Sequence, residues 1–521
     1  MFRKFLAAAV VNVALFLPTV LGFGITTSGN NLVVDTSAGL VFSVDRTNGD
    51  VVSMLFNGQQ AQDQSGKHSQ IASGIGASCS SSQPSSNIIL ITCTTSTLTQ
   101  YYLARNGDPA IHMATFTTAE PSVGELRFIA RLNNAVLPNG FPQSSIRGGT
   151  AIEGSDVFTV NGQTRSKFYS SRQFIDDAVK GVSGNGIAAW MIIPGTGFEA
   201  SSGGPFFRDI DNQGGDQQEF YFYMNSGHTQ TESFRQGLHG PYALWFTTGS
   251  TPSTFDTSFW AGLPVSGFVA QSGRGRVTGT ATGIPSQFNS LISVGFSNSN
   301  NEYWVRADTA GRFTSPFMKP GTYTMTLYKV ELAVASQSVS VSAGGTTTSN
   351  IASTEANPTV IWQIGDFDGT PRGFLNADKI ETMHPSDSRM MTFTVGDAVN
   401  KFPMAIFKAI GSVTIRFTLT ASQGGARTLD IGTTLAFAGA RPQITLNSFT
   451  GAIPAVPNQP DSRGVTRGTW RGNNIMYSVA IPSGVLLTGG SVNTLTINAV
   501  SGSSGDAFLS PNLVFDAIRL H

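Results

Sequence analysis

Three stretches in the first half of the chain carry side chains able to grip an anion and move a proton. The first, ELRFIARL over Glu125–Leu132, places Arg127 and Arg131 four residues apart. On a strand that spacing puts both guanidinium groups on one face. Two such forks suit carboxylates, which arginine grips in bidentate fashion; a solvated sheet face is the bland alternative. The second, TRSKFYS over 164–170, sets Lys167 beside aromatics. Crowding by arginines would lower its pKa and make a neutral amine available as a base; a lysine stem covering an aromatic is the alternative. The third, YFYMNSGH over 221–228, puts Tyr221 and Tyr223 on one strand face and His228 at the mouth of an Asn-Ser-Gly turn. Tyrosine pairs stack on rings and hydrogen-bond to hydroxyls. Histidine is the side chain best able to exchange a proton near neutrality, although for a histidine taken alone a structural role is the commoner one.

Carboxylates offer other chemistry. Glu153 and Asp156 in AIEGSD form a candidate pair for glycoside hydrolysis, their separation unreadable from sequence. Asp209, Asp211, Asn212 and Asp216 lie in a Gly-containing loop that would suit structural calcium, or else is a solvated turn.

The elements that must position these groups read as strands. Segments 40–44 and 51–55 flank Thr47-Asn48-Gly49-Asp50, a strong hairpin signal because Asn-Gly tolerates positive φ. Segments 323–327 (YTMTL) and 495–499 (LTINA) alternate apolar and polar residues. Period 2 dominates and long period-3.6 stretches are missing, so the fold class is all-β, largely antiparallel sandwiches or jelly rolls. Trp362, His384, Arg389 and Trp470 read as loop residues between strands of the last unit.

Composition narrows the function. Of 521 residues, 40% are hydrophobic and 12% charged, with 32 basic and 32 acidic residues. Charge far below the usual quarter excludes coiled-coil and long-helix designs. Balanced charge argues against nucleic acid as partner, and the apolar fraction is high enough for substantial cores. No Gly-x-Ser-x-Gly elbow, His-Glu-x-x-His zinc motif, phosphate loop or dinucleotide fingerprint is present.

Residues 1–22 read as a secretory signal: Arg3 and Lys4, an apolar run over 5–17, then Pro18. The run is short for a spanning helix. The mature protein is therefore expected to be secreted, extracellular and free of membrane attachment. In that compartment Cys79 and Cys93, separated by a Ser/Pro-rich turn and a strand, are expected to form one disulfide. Composition shifts at the Gly/Arg stretch 272–276 and at the Gly/Thr/Ser tract 343–350 divide the mature chain into units of 23–265, 266–349 and 350–521.

Taken together, eight stretches resemble the fungal rhamnogalacturonan endolyases of polysaccharide lyase family four. They are 107–117 (GDPAIHMATFT), 120–132 (EPSVGELRFIARL), 149–158 (GTAIEGSDVF), 164–170 (TRSKFYS), 201–209 (SSGGPFFRD), 223–242 (YMNSGHTQTESFRQGLHGPY), 384–390 (HPSDSRM) and 461–468 (DSRGVTRG). Their order and spacing span the mature chain. The resemblance implies three domains: a galactose-mutarotase-like β-supersandwich, a fibronectin type III-like sandwich and a carbohydrate-binding-module-like jelly roll. It implies endo-acting β-elimination of the rhamnose–galacturonate 1,4 bond of rhamnogalacturonan I by a monomer. The lysine and histidine of the family fall on Lys167 and His228, and Arg127, Arg131, Tyr221 and Tyr223 match positions lining the substrate groove. No metal is implied for catalysis, the arginines neutralising the uronate instead. A secreted glycoside hydrolase using Glu153 and Asp156, and a pectin-binding protein without catalysis, are the competing readings.

Overall fold

In the computed structural model, the described residues are 22–122, 124–153, 157–166, 172–228, 230–380, 392–460, 464–501 and 511–521. The molecule is built almost entirely from strands. Among the described residues the helical segments are short 3-10 turns. Alternation in sequence becomes alternation in burial. In Gly321–Lys329, Tyr323, Met325 and Leu327 are buried while Thr322 and Thr324 are exposed. In Val492–Val500, Leu495 and Ile497 face inward between exposed or half-buried polar neighbours.

Among the described residues the three largest hydrophobic cores follow one another along the chain: one runs from Leu32 to Phe246, one from Val277 to Ile351 and one from Trp362 to Leu520. Around the first lie a five-stranded sheet that begins at Gly24–Ser28, a seven-stranded sheet and a four-stranded sheet. The expected hairpin is present: Leu40–Asp45 pairs antiparallel with Val51–Phe56, and Gly49 in its turn has φ +85°. Cys79 and Cys93 face each other across the hairpin of Ser78–Ser85 and Ile88–Thr94 and are joined by a disulfide.

Strand pairing is largely antiparallel, as the sequence reading expects, with parallel exceptions where Arg276–Thr282 meets Thr346–Thr348 and Thr392–Thr394 meets Val413–Thr418. Short strands joined by long crossovers leave no local hairpin signal to read. Trp362 is not a loop residue: it begins the strand Trp362–Ile364 and packs, 7% exposed, into the third core. Trp470 packs against that core half-buried, its indole N–H 3.4 Å from Glu331 Oε1. His384 and Arg389 lie outside the described residues.

The four-stranded sheet positions the site. Its order is Asn212–Gly214, Gln218–Ser226, Glu125–Leu132, Gln70–Ile71, all antiparallel. One face sends Leu126, Phe128, Ala130, Phe220, Phe222 and Met224 into the first core. Fully burying a phenylalanine of this kind contributes roughly 1.5–3 kcal/mol, which fixes the register. The opposite parity, carrying Arg127, Ile129, Arg131, Tyr221 and Tyr223, must then point the other way.

Candidate active site

Both arginines do share that outer face. Arg127 sits opposite Tyr223, Ile129 opposite Tyr221 and Arg131 opposite Glu219. A bulge between Leu126 and Arg127 sets this register, since Leu126 pairs with Asn225 and Arg127 with Tyr223. Bulges re-aim side chains in this way and often lie beside active sites.

Each guanidinium already holds a carboxylate. Arg127 Nη1 donates to Glu125 and, at 2.6 Å, to the Tyr223 hydroxyl. Arg131 Nη1 donates to Glu219. The Nε atoms of both arginines are buried and have no hydrogen-bond partner among the described residues. Donor capacity for a further anion remains at the outer nitrogens: Arg127 Nη2 has only Ser73 Oγ, at 3.5 Å, and Arg131 Nη2 makes no hydrogen bond among the described residues.

Tyr221 and Tyr223 lie side by side, ring centroids 5.6 Å apart and 28° from parallel. They are 4% and 2% exposed. The rings stack on each other, so little of either face is exposed. Their hydroxyls carry the polar contacts: Tyr221 donates to Glu219, and Tyr223 accepts from Arg127. Burial pushes both phenols well above their usual range, reinforced by Glu219 for Tyr221 and by Asp209 for Tyr223. Both therefore stay neutral.

His228 joins this cluster from the turn after Gln218–Ser226. Its backbone N–H donates to Ser226 Oγ at 3.2 Å, a side-chain turn of the kind serine supports. The ring lies between two carboxylates: Nδ1 is 2.9 Å from Asp209 Oδ2, and Nε2 is 3.1 Å from Glu125 Oε1. Asp209 is the deeper, its side chain 1% exposed against 22% for Glu125. Burial alone would push the Asp209 carboxyl up. The His228 charge and hydrogen bonds from His228, Ser226 and the Ile210 N–H outweigh it and hold the group below the usual carboxylate range.

The structure thus brings Arg127, Arg131, Tyr221, Tyr223 and His228 onto one surface. Lys167 lies outside the described residues; the strand Gln163–Ser166 ends immediately before it. Asp156 is also outside, and of Glu153 only its place at the end of Thr150–Glu153 is described. The loop considered for calcium sends its side chains to separate partners. Asp209 meets His228, while Asp211 meets Lys180 at 2.6 Å. Asn212 accepts from the Phe141 N–H and donates to Ser144 Oγ. Among the described residues no three His, Cys, Asp or Glu side chains gather as a metal site.

Sequence reasoning overlooked Glu125 and Glu219 and did not join Asp209 to His228. The first two were within reach, because Glu125 precedes Arg127 by two and Glu219 precedes Tyr221 by two, the same-face spacing. Asp209 is 19 residues from His228, and no local pattern joins them.

Known families place this arrangement. Residues 23–267 match the model for the N-terminal region of rhamnogalacturonan lyase B, 273–349 that for domain II of polysaccharide lyase family 4, and 360–520 that for the CBM-like domain III of the same family. The chain belongs to polysaccharide lyase family 4 and is an enzyme, a polysaccharide lyase. It is 54% identical to a probable rhamnogalacturonate lyase A of Aspergillus fumigatus, over 97% of this chain and 98% of that protein. It is 53% identical to the rhamnogalacturonate lyase A of Emericella nidulans and to that of Aspergillus aculeatus, each over 96% of both chains. Among solved structures, a galactose 1-epimerase from Lactobacillus acidophilus NCFM aligns at 8% identity over 43% of this chain and 97% of its own. Its TM-score of 0.24 is too low to carry an argument.

Proposed function

We propose that this protein cleaves rhamnogalacturonan I, the pectic backbone of alternating rhamnose and galacturonate, inside the chain and by β-elimination. Relatives named as rhamnogalacturonate lyases support the substrate. One observation carries the chemistry: a histidine fixed between two carboxylates, beside two arginines on the same sheet face whose outer Nη2 atoms have donors to spare among the described residues.

The scheme follows from the substrate. Removing the C5 proton of a galacturonate builds a second negative charge on a group already anionic. Arg127 and Arg131 are placed to neutralise it in a partly water-shielded site. Lys167, as a neutral amine, takes the C5 proton. The C–H electrons form the C4–C5 double bond, the C4–O4 bond breaks, and the oxygen leaves with the rhamnose. His228 protonates that oxygen. Its environment favours the acid role: an ionised Asp209 only accepts, so Nδ1 donates to it. The contact of Nε2 with Glu125 then needs a second proton. Tyr223 holds Arg127, and Tyr221 holds the glutamate on Arg131.

The reading includes catalysis without a metal, secretion under the signal at 1–22 and action as a monomer. Among the described residues no helix is long and apolar enough to cross a membrane. The test is ultraviolet absorbance over time with purified protein, rhamnogalacturonan I and a chelator. A rising conjugated-uronate signal is expected. New reducing ends without that signal would overturn elimination in favour of hydrolysis, and a signal abolished by the chelator would overturn the metal-free scheme.

A further inference from the structure

We propose that Asp209 is the positioning residue of this site: it keeps one ring proton of His228 on Nδ1, leaving Nε2 as the atom that exchanges a proton with substrate. The tautomer assignment stands on geometry alone, and its catalytic consequence rests on the lyase reading above.

The two carboxylates on the ring are unequal. Asp209 lies on the 201–209 loop and is pinned at both oxygens: Oδ1 accepts the Ile210 N–H at 2.8 Å, and Oδ2 faces His228 Nδ1 at 2.9 Å. Glu125, at the start of its strand, is the more accessible, its side chain 22% exposed, and shares its carboxylate between His228 Nε2 and Arg127. An incoming uronate can take over Glu125's partners, but it cannot reach Asp209. Described groups that also face the ring include Ser226 Oγ, 3.0 Å from Nδ1, and Tyr223, whose ring centroid is 6.2 Å away. The serine accepts from the His228 N–H and donates to Asp209, so it supports the same polarity. A carboxylate that fixes an imidazole's tautomer also fixes the orientation of its working nitrogen.

The next strand keeps the loop in place. Asp211, two residues on, binds Lys180 at 2.6 Å, and its carbonyl accepts the Tyr221 N–H at 2.8 Å. Lys180 in turn binds Asp177 at 2.7 Å. This buried ion pair and strand contact anchor the segment that carries Asp209 to the strand that carries the tyrosines.

Asp209→Asn breaks the device with nearly no change in shape. The Ile210 N–H selects the amide oxygen, so the amide NH2 turns toward Nδ1 and favours the opposite tautomer. The experiment is nitrogen-15 NMR of histidine-labelled whole protein, with the His228 signals assigned from a His228→Gln spectrum. Above the pH at which the ring becomes neutral, wild-type His228 should carry its proton on Nδ1, and Asp209→Asn should move it to Nε2. Turnover of rhamnogalacturonan I should fall roughly 10- to 100-fold, the usual range for such supporting groups, with KM nearly unchanged. A wild-type proton on Nε2 would overturn the proposal without any variant having to fold. A moved proton with unaltered kcat would overturn the positioning role. If wild type yields no unsaturated product while its proton sits on Nδ1, the lyase reading fails and the Asp209 assignment stands.

Discussion

Two clusters in this molecule use the same residue types for opposite ends. At the junction of the first two cores, Glu199 accepts from Arg274 Nη1 and Nη2 at 2.6 and 3.1 Å, from the Tyr303 hydroxyl at 2.8 Å, and pairs with Lys319 at 3.0 Å. Arg274 Nε donates to the Val269 carbonyl. Beside it, Arg235 donates to Glu232, Glu302, Ser201 and Asn298. Every nitrogen of these two guanidinium groups is engaged within the protein. On the four-stranded sheet, Arg127 and Arg131 also pair with glutamates near tyrosines, but Arg127 Nη2 has only Ser73 Oγ at 3.5 Å and Arg131 Nη2 makes no hydrogen bond among the described residues. A staple is complete in the folded chain; a recognition site keeps donors for something else. Ion-pair counting would not separate the two, whereas the inventory of engaged donors does.

The largest expected effect breaks the chemistry. His228→Ala should lose turnover by roughly a hundred- to ten-thousand-fold, the usual worth of a general acid, and Lys167→Ala should lose it alike. Turnover is read per folded molecule, because His228→Ala also takes the partner from buried Asp209. Near-normal rates of unsaturated-uronate formation in either variant would remove that residue from the mechanism. Arg274→Ala should do the reverse: leaving buried Glu199 with fewer partners costs about 3–5 kcal/mol of stability, seen in denaturant unfolding. Turnover per folded molecule should be retained. A stable Arg274→Ala protein with lost turnover would place the junction inside the active machinery and erase the distinction.

The same contrast explains what could be read from sequence. The outer-face parity of Arg127, Arg131, Tyr221 and Tyr223 was legible because a two-residue period survives folding unchanged. The Cys79–Cys93 hairpin was legible for the same local reason. The motif around His228 gave its place in a turn, but not its neighbours. Asp209 reaches His228 because Asn212–Gly214 folds back on Gln218–Ser226 in a hairpin, and a first strand of three residues is too short to show a period. The bulge at Leu126 leaves no mark in composition. Trp362 was misread because a three-residue strand is too short to show a period. Glu199 and Arg274, 75 residues apart, were invisible as a pair.

A smaller effect sharpens the reading of the open donors. Arg127→Ala removes one of two cations, so the second still offsets part of the charge that builds on the uronate. A loss of about ten- to a hundred-fold in kcat is expected, near 1.4–2.7 kcal/mol. Arg127→Lys should recover little, because a point charge cannot bind Glu125, Tyr223 and a uronate as a fork does. An unchanged rate in Arg127→Ala would reject charge neutralisation by this residue.

The smallest expected effect separates the clusters by pH. Burial pushes the Glu302 carboxyl up to about 8, against the pull of Arg235 and with the added push of Glu232. The folded chain therefore holds a proton that the unfolded chain, with an ordinary glutamate near 4.3, has released. Stability from this group is full below the unfolded value and is lost as pH rises toward 8. Asp209 has the opposite sign: its folded carboxyl lies below the ordinary range, so its contribution is full above the unfolded value near 3.9 and is lost as pH falls through the folded one. Thermal midpoints measured across pH should show Glu302→Gln losing part of the wild-type decline on the neutral-to-alkaline side. Asp209→Asn should lose part of the decline on the acid side. If both substitutions flatten the same side, the two clusters respond to protons alike, and the division between staple and recognition site rests on open donors alone.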